Sequence, residues 1–455
     1  MRRATHRAWA RLDNASNIFL AARNAVDTKV FRLSADLHED LDPVQLQRAL
    51  DATFDRFPLY SSVLRKGLFW YHLQSSDLRP VVEPDALPVC APLYRPDRPG
   101  LLFRVVYFGR RVSLEVFHAL SDGTGALWFF QDLLGTYAGL CDPEADPGPD
   151  SAARDQTPQT LSADSFSHYF RRRKGRRAAA GPAGHAAAGR APGASSAPRT
   201  KRPRPRVYRV KGTYTPDLRT HLQELTLPAS RVLDLSREQG VSMTMYLVAV
   251  FFDAVRTSEG GLGANGRAST LGVSVPVNLR GFFPSTSARN FFAAVQLEHT
   301  YGVGPDDVGS VARGLESEFR AQIAPEALEA KLRRFARFER MPGLRIVPRA
   351  LKDVVLSLIN RANNRRITVA ISNLGRVALP GPAEERVGGM SLSVSAVRPQ
   401  LCVVSHAGQL TLSFTTPFIE CGHVREMARF FTRQGIDVRM VATAVTERDL
   451  AEAAT

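Results

Sequence analysis

Residues 171 to 206, RRRKGRRAAAGPAGHAAAGRAPGASSAPRTKRPRPR, constrain the fold of this chain more than any other segment. They hold 12 Lys and Arg and no acid, set among Ala, Gly, Pro and Ser. Such a stretch cannot bury enough apolar surface to offset the entropy of ordering it. It therefore belongs outside any core and splits the 455 residues into two foldable parts. The reading is an N-terminal part over 1–140, a linker over 141–206 that is flexible and basic at 171–206, and a C-terminal part over 207–455. Around Ser165 to Arg172 the linker is expected to carry a short helical or docking piece.

The same segment explains the charge. The chain has 60 basic and 44 acidic residues, a net of +16; without the stretch, 48 basic residues face the 44 acids and the net is +4. A nucleic-acid partner is therefore not expected, and the linker reads as a solvated insertion, with weak contact to anionic surfaces as the alternative. The four cysteines, Cys90, Cys141, Cys402 and Cys421, form no CxxC pair and suggest neither a zinc site nor a disulfide framework. The longest apolar run, Met245 to Phe252, is far too short to span a bilayer, and MRRATHRAWARLD has no apolar core behind its charges. The expectation is a soluble cytoplasmic protein.

Both parts read as mixed α/β. In the first, strands are expected at 29–37, 60–64, 68–73, 101–108 and 111–118, the last two joined as a hairpin at Gly109–Arg110. Helices are expected at 43–57, with Leu46, Ala49, Leu50, Phe54 and Phe57 at helical spacing, and at 124–140. In the second, helices are expected at 229–238 and 242–256, across 305–363 and at 422–435. Its strands are expected at 269–279, 367–373, 390–397, 400–406 and 410–416.

The most informative chemistry lies at the end of the 111–118 strand: Phe117-His118-Ala119-Leu120-Ser121-Asp122-Gly123. A histidine fixed at a strand end works as a general base because its pKa lies near neutrality. Asp122 can orient the turn by a charge-assisted contact, and Gly123 permits the sharp turn into the following helix. A turn histidine with an Asx-type cap fits the same spacing. Other chemistries lack their signatures: there is no G-x-S-x-G and no G-x-x-x-x-G-K-[ST]. GLGANG at 261–266 follows a helix and reads as a loop. Cys421 and His423 in ECGH are a lone C-x-H, and His299 and His406 read as structural histidines at strand positions.

Strand–HxxxDG–helix resembles the signature of the chloramphenicol acetyltransferase-like acyltransferases, a superfamily that includes condensation domains, plant HxxxD acyltransferases and wax ester synthases. The chain is most similar to the alcohol acetyltransferase family. LDNASNIF (12–19), FRLSADLHEDLDPVQLQRAL (31–50), RFPLYSSVLRKGLFWY (56–71), FHALSDGTGALWFFQDLL (117–134), VPVNLRGFFPSTSARNFF (275–292) and ISNLGRV (371–377) resemble its blocks in order. In related members a double histidine opens the motif; here Phe117 takes the first place.

The resemblance implies two subdomains with a tunnel at their interface and an acyl-CoA-dependent O-acyltransferase, an enzyme transferring groups other than aminoacyl groups. His118 is then the general base and Asp122 is structural, held by Arg280, for which a solvated strand-end charge is the other reading. Ser372 and Asn373 line the tunnel and can donate to the oxyanion; a strand-ending turn is the other reading of them. Acyl-CoA, with acetyl-CoA first, is a co-substrate, a small alcohol is the acceptor, and no metal, bound cofactor or particular oligomer is implied. Two alternatives remain: a condensation-type enzyme using a carrier-protein donor or amine acceptor, and a non-catalytic binding protein of the same fold.

Overall fold

The computed structural model describes residues 9–12, 14–142, 157–162, 165–170, 206–264, 267–339 and 347–443. Apart from Arg206, the basic run expected to be flexible lies outside the described residues.

The first part runs β1 (Trp9–Arg11), α1 (Asn14–Ala22), β2 (Val30–Leu37), α2 (Pro43–Arg56), β3 (Ser62–Lys66), β4 (Tyr71–Ser75), β5 (Val82–Pro84), β6 (Phe103–Phe108), β7 (Arg111–Phe117) and α3 (Gly123–Cys141). Helix α2 begins where it does because the Asp42 carboxylate accepts the Val44 and Gln45 amides at 2.8 and 3.3 Å, with Pro43 in the first turn. Its Leu46, Ala49, Leu50 and Phe54 face the core, as their spacing predicts. The β6–β7 turn places Gly109 at φ 54°, in the left-handed region that favours glycine.

Two short helices follow, α4 (Pro158–Leu161) and α5 (Ser165–Phe170). The second is the expected docking piece. Phe166 meets Phe291 edge-on at 5.1 Å, and Ser165 Oγ lies 2.5 Å from Ser285 Oγ.

The second part comprises β8 (His221–Pro228), α6 (Ala229–Glu238), α7 (Met243–Ser258), β9 (Ser269–Asn278), β10 (Phe292–Tyr301), α8 (Val308–Ile323), α9 (Pro325–Glu339) and α10 (Arg349–Asn364). It continues with β11 (Val369–Arg376), α11 (Ala383–Arg386), β12 (Val387–Val394), β13 (Gln400–His406), β14 (Gln409–Thr416), α12 (Gly422–Arg433) and β15 (Arg439–Ala442). A seven-stranded sheet has the order β10-β9-β11-β13-β14-β8-β15, a five-stranded sheet β12-β2-β7-β6-β5, and a small third sheet β1-β4-β3. Helix α7 is buried on every side, through Met245, Leu247, Val248, Val250, Phe251 and Phe252. Each such side chain contributes about 1.5–3 kcal/mol on leaving water, so α7 anchors the second core. Among the described residues no single helix is long and apolar enough to cross a membrane.

Three features differ from a reading of strands by alternation. β12 belongs by sequence to 207–455, yet it pairs antiparallel with β2, so the C-terminal segment completes the first sheet and sends Met390 and Leu392 into the first core. β8 and β10 have no counterpart among the expected strands. In β8 the buried residues include His221, Gln223 and Glu224, which break the apolar pattern. Finally, the polar face of β7 is not a solvent face. Glu115 is fully buried and accepts from Arg32 Nε at 2.8 Å, Arg104 Nε at 2.6 Å and the Cys90 amide at 2.7 Å. Full pairing is what makes a buried carboxylate tolerable.

Candidate active site

His118 directly follows β7, and its N–H donates to the Lys29 carbonyl at 2.8 Å, so the pairing with β2 extends to the histidine itself. Its ring is enclosed by aromatic side chains from three elements. Phe19 of α1 stacks on it at 4.0 Å, Phe31 of β2 meets it edge-on at 5.1 Å, and Phe292 of β10 lies at 5.8 Å. Both parts of the chain therefore build the histidine's surroundings.

Asn290 fixes the protonation pattern. Its Nδ2 donates to the His118 carbonyl at 2.8 Å and to Ser16 Oγ at 2.9 Å, while its Oδ1 lies 3.2 Å from His118 Nδ1. A carbonyl only accepts, so the amide NH2 must face it and the amide oxygen must face the ring. The ring proton then sits on Nδ1, and Nε2 keeps its lone pair, with no hydrogen-bond partner among the described residues. Burial holds the imidazole pKa below its ordinary 6.5, against the pull of the Asp122 carboxylate and the Asn290 bond. At neutral pH the ring is a neutral base.

Asp122 does structural work. Its Oδ1 accepts the Gly125 amide at 2.9 Å and caps α3, while Oδ2 accepts Arg280 Nη1 at 2.7 Å and the Phe291 amide at 2.8 Å. Arg280 in turn donates from Nη2 to the carbonyls of Ser287 and Arg289 at 2.7 and 2.8 Å. The two side chains are each 7% exposed. The pair thus clamps the loop between β9 and β10 onto the start of α3, and Ser121 Oγ adds a 2.5 Å bond to the Ala288 carbonyl. Asn290 is carried on that loop.

Gly123 does not take a left-handed φ; what it meets is Leu374, whose Cδ2 would lie 3.1 Å from an added Cβ. The stricter position is Gly125, where a Cβ would lie 2.1 Å from the Ala288 carbonyl oxygen. Ser372 and Asn373 sit in β11 next to Leu374. Asn373 Nδ2 donates to Thr244 Oγ1 at 2.9 Å and its Oδ1 accepts the Gly375 amide at 2.7 Å, at a bulge in the pairing with β13. Among the described residues, no hydrogen bond joins Ser372 or Asn373 to His118.

The remaining histidines have structural surroundings. The His406 ring nitrogens lie 3.0 and 2.9 Å from the Val377 and Val387 carbonyls, and His299 Nε2 is 3.4 Å from Asp306. Cys421 stands just before α12 without a side-chain cap bond, and His423 points into the second core toward Phe251, where burial pushes its pKa down to about 4. Gly261 and Gly263 of GLGANG adopt φ 77° and 86° in a loop after α7, with residues 265–266 outside the described residues. Asn290, Phe19, Ser16 and Gly125 all fall inside blocks singled out by sequence, although no residue-level signal drew them out.

No family model matches this sequence, and no curated protein matches it. Solved structures do match. F. graminearum TRI101, complexed with coenzyme A and deoxynivalenol, superimposes with a TM-score of 0.59 at 10% identity, over 95% of this chain and 100% of its own. TRI3 trichothecene 15-O-acetyltransferase from Fusarium sporotrichioides gives 0.56 at 11%, over 93% and 94%. The EpoB cyclization-docking bidomain from Sorangium cellulosum gives 0.54 at 14%, over 94% and 84%. Likeness at such identities establishes the fold: two subdomains of the chloramphenicol acetyltransferase-like, condensation-type architecture.

Proposed function

We propose that this protein is an O-acyltransferase that moves an acyl group from a thioester, acyl-CoA first, to a small-molecule hydroxyl, as the alcohol acetyltransferase-like blocks imply. The observation that carries the reading is the Asn290–His118 arrangement, which protonates Nδ1 and leaves Nε2 as an unoccupied, neutral base. His118 Nε2 takes the hydroxyl proton of the acceptor as the oxygen attacks the thioester carbonyl. The tetrahedral oxyanion forms beside β11, where the Ser372 hydroxyl is the freer donor and Asn373 is already engaged with Thr244. Collapse breaks the C–S bond, and the leaving thiolate recovers the proton from Nε2. No covalent acyl-enzyme is needed. A positioned general base of this kind supplies roughly 100- to 10,000-fold, and holding both reactants beside it supplies the rest. Two of the structural neighbours support the donor and reaction class through their own names: one was solved with coenzyme A, and one is an O-acetyltransferase.

The test is thiol release from acetyl-CoA and longer acyl-CoAs against a panel of alcohols and amines, with product mass spectrometry. Alcohol-dependent release that disappears in His118→Ala supports the proposal. Transfer only to amines, or only from a carrier-protein thioester, would move the protein to the condensation-type reading.

A further inference from the structure

A second feature lies at the far end of α1. A cavity of about 360 Å³ opens there between the two parts, walled by Arg23 after α1, Arg209 before β8, Arg361 and Arg365 of α10, and Arg398 in the β12–β13 turn. No Asp or Glu lines it. Arg209 and Arg365 also line an adjoining hollow with Arg206. None of these six arginines forms an ion pair among the described residues. Several arginines elsewhere are ion-paired: Arg32 with Asp85 and Glu115, Arg111 with Asp36 and Glu224, Arg366 with Glu298.

The arrangement within the cavity is ordered. On α10, Ser357, Asn360, Arg361, Asn364 and Arg365 recur at helical spacing, so one face of the helix presents only hydrogen-bonding groups to the cavity. Arg23 is held in place by the Tyr94 carbonyl at 3.0 Å and by its ring at 5.1 Å. Arg398 has no hydrogen-bond partner among the described residues, and burial with Arg209 nearby pushes its pKa down to about 10, although Asp27 pulls the other way. Asp27 itself is engaged by Lys29 and the Ser395 hydroxyl. Concentrated positive charge with no acid to neutralise it favours an anion, and planar guanidinium forks suit phosphate oxygens two at a time.

We propose that this five-arginine cavity is a binding site for a ligand carrying clustered phosphate groups. The cavity wall at Ala22 and Arg23 begins about one helical turn beyond Phe19, the residue stacked on His118. That proximity assigns the phosphates to the nucleotide end of the acyl-CoA donor. The assignment of source rests on the function proposed above; the phosphate site does not.

Calorimetric titration of the full chain with CoA, 3′-dephospho-CoA, pantetheine and inorganic pyrophosphate tests both. Arg361→Gln/Arg365→Gln removes two exposed guanidiniums and is expected to weaken CoA and pyrophosphate at least about tenfold. Pantetheine binding stays the same, His118→Ala binds CoA like the wild type, and 3′-dephospho-CoA binds more weakly than CoA. In the wild type, added salt weakens CoA and pyrophosphate binding; in the double variant it does so less. If pyrophosphate depends on the arginines but CoA does not bind or does not depend on them, the phosphate site stands and the donor assignment falls. If neither ligand responds to the double variant, the proposal is overturned.

Discussion

The Asp122–Arg280 pair and the arginine cavity beyond α1 use the same side chain in opposite ways. At Asp122, one guanidinium is buried and fully engaged: it meets a carboxylate, two backbone carbonyls and a capped helix. In the cavity, five arginines line a space that no acid lines. A paired charge beside His118 ties down the loop that carries Asn290. An unpaired cluster is an invitation to a ligand. The contrast predicts that substitutions in the two places separate folding from binding.

The largest effect is expected at the base that this architecture positions. His118→Ala should lower turnover by roughly 100- to 10,000-fold with the melting transition little changed, read by thiol release and thermal unfolding. Next comes the clamp. Asp122→Ala leaves Arg280 buried without its partner and should cost about 3–5 kcal/mol in a denaturant titration. A stability loss no larger than that of an exposed charge would erase the distinction between the two regions. Gly125→Ala drives a Cβ toward the Ala288 carbonyl and should destabilise by at least about 1–3 kcal/mol, with the loop displaced. In the cavity, by contrast, Arg361→Gln/Arg365→Gln should leave stability within about 0.5 kcal/mol while weakening anion binding.

A smaller effect sharpens the same comparison through pH. With the His118 pKa held below 6.5, kcat/KM should rise from the acid side with a midpoint below that value and then level off. Stability should follow the same direction. The histidine's contribution is present above 6.5 and is lost as the pH falls toward the lower folded value, because the unfolded imidazole binds a proton that the folded one resists. Asn290→Leu should reduce kcat more than it raises KM and shift this profile, since the ring loses the acceptor that fixes its tautomer. An unaltered profile would reduce Asn290 to a loop support.

Much of this is legible in the sequence. The hairpin, the strand-ending histidine and the helix after Gly123 are local events, written in alternation and in a turn residue, and they appear within a residue or two of their expected places. Arg280 was reachable only through resemblance, since it lies 158 residues from Asp122. Asn290 is a single polar letter on a loop, and nothing local marks it as the group that sets a histidine's proton. The arginine cavity was hidden for another reason. Its arginines come from four separated segments, whereas the contiguous basic run lies at 171–206. Strand β8 was obscured because it buries polar residues, while β12 was expected as a strand but its crossing to the other sheet depends on tertiary context.

The most direct measurement is thiol release from acyl-CoA in the presence of an alcohol panel, wild type beside His118→Ala, with products identified by mass spectrometry. The account predicts alcohol-dependent ester formation in the wild type and its loss in a variant that still folds. Ester formation at the wild-type rate by His118→Ala would contradict it.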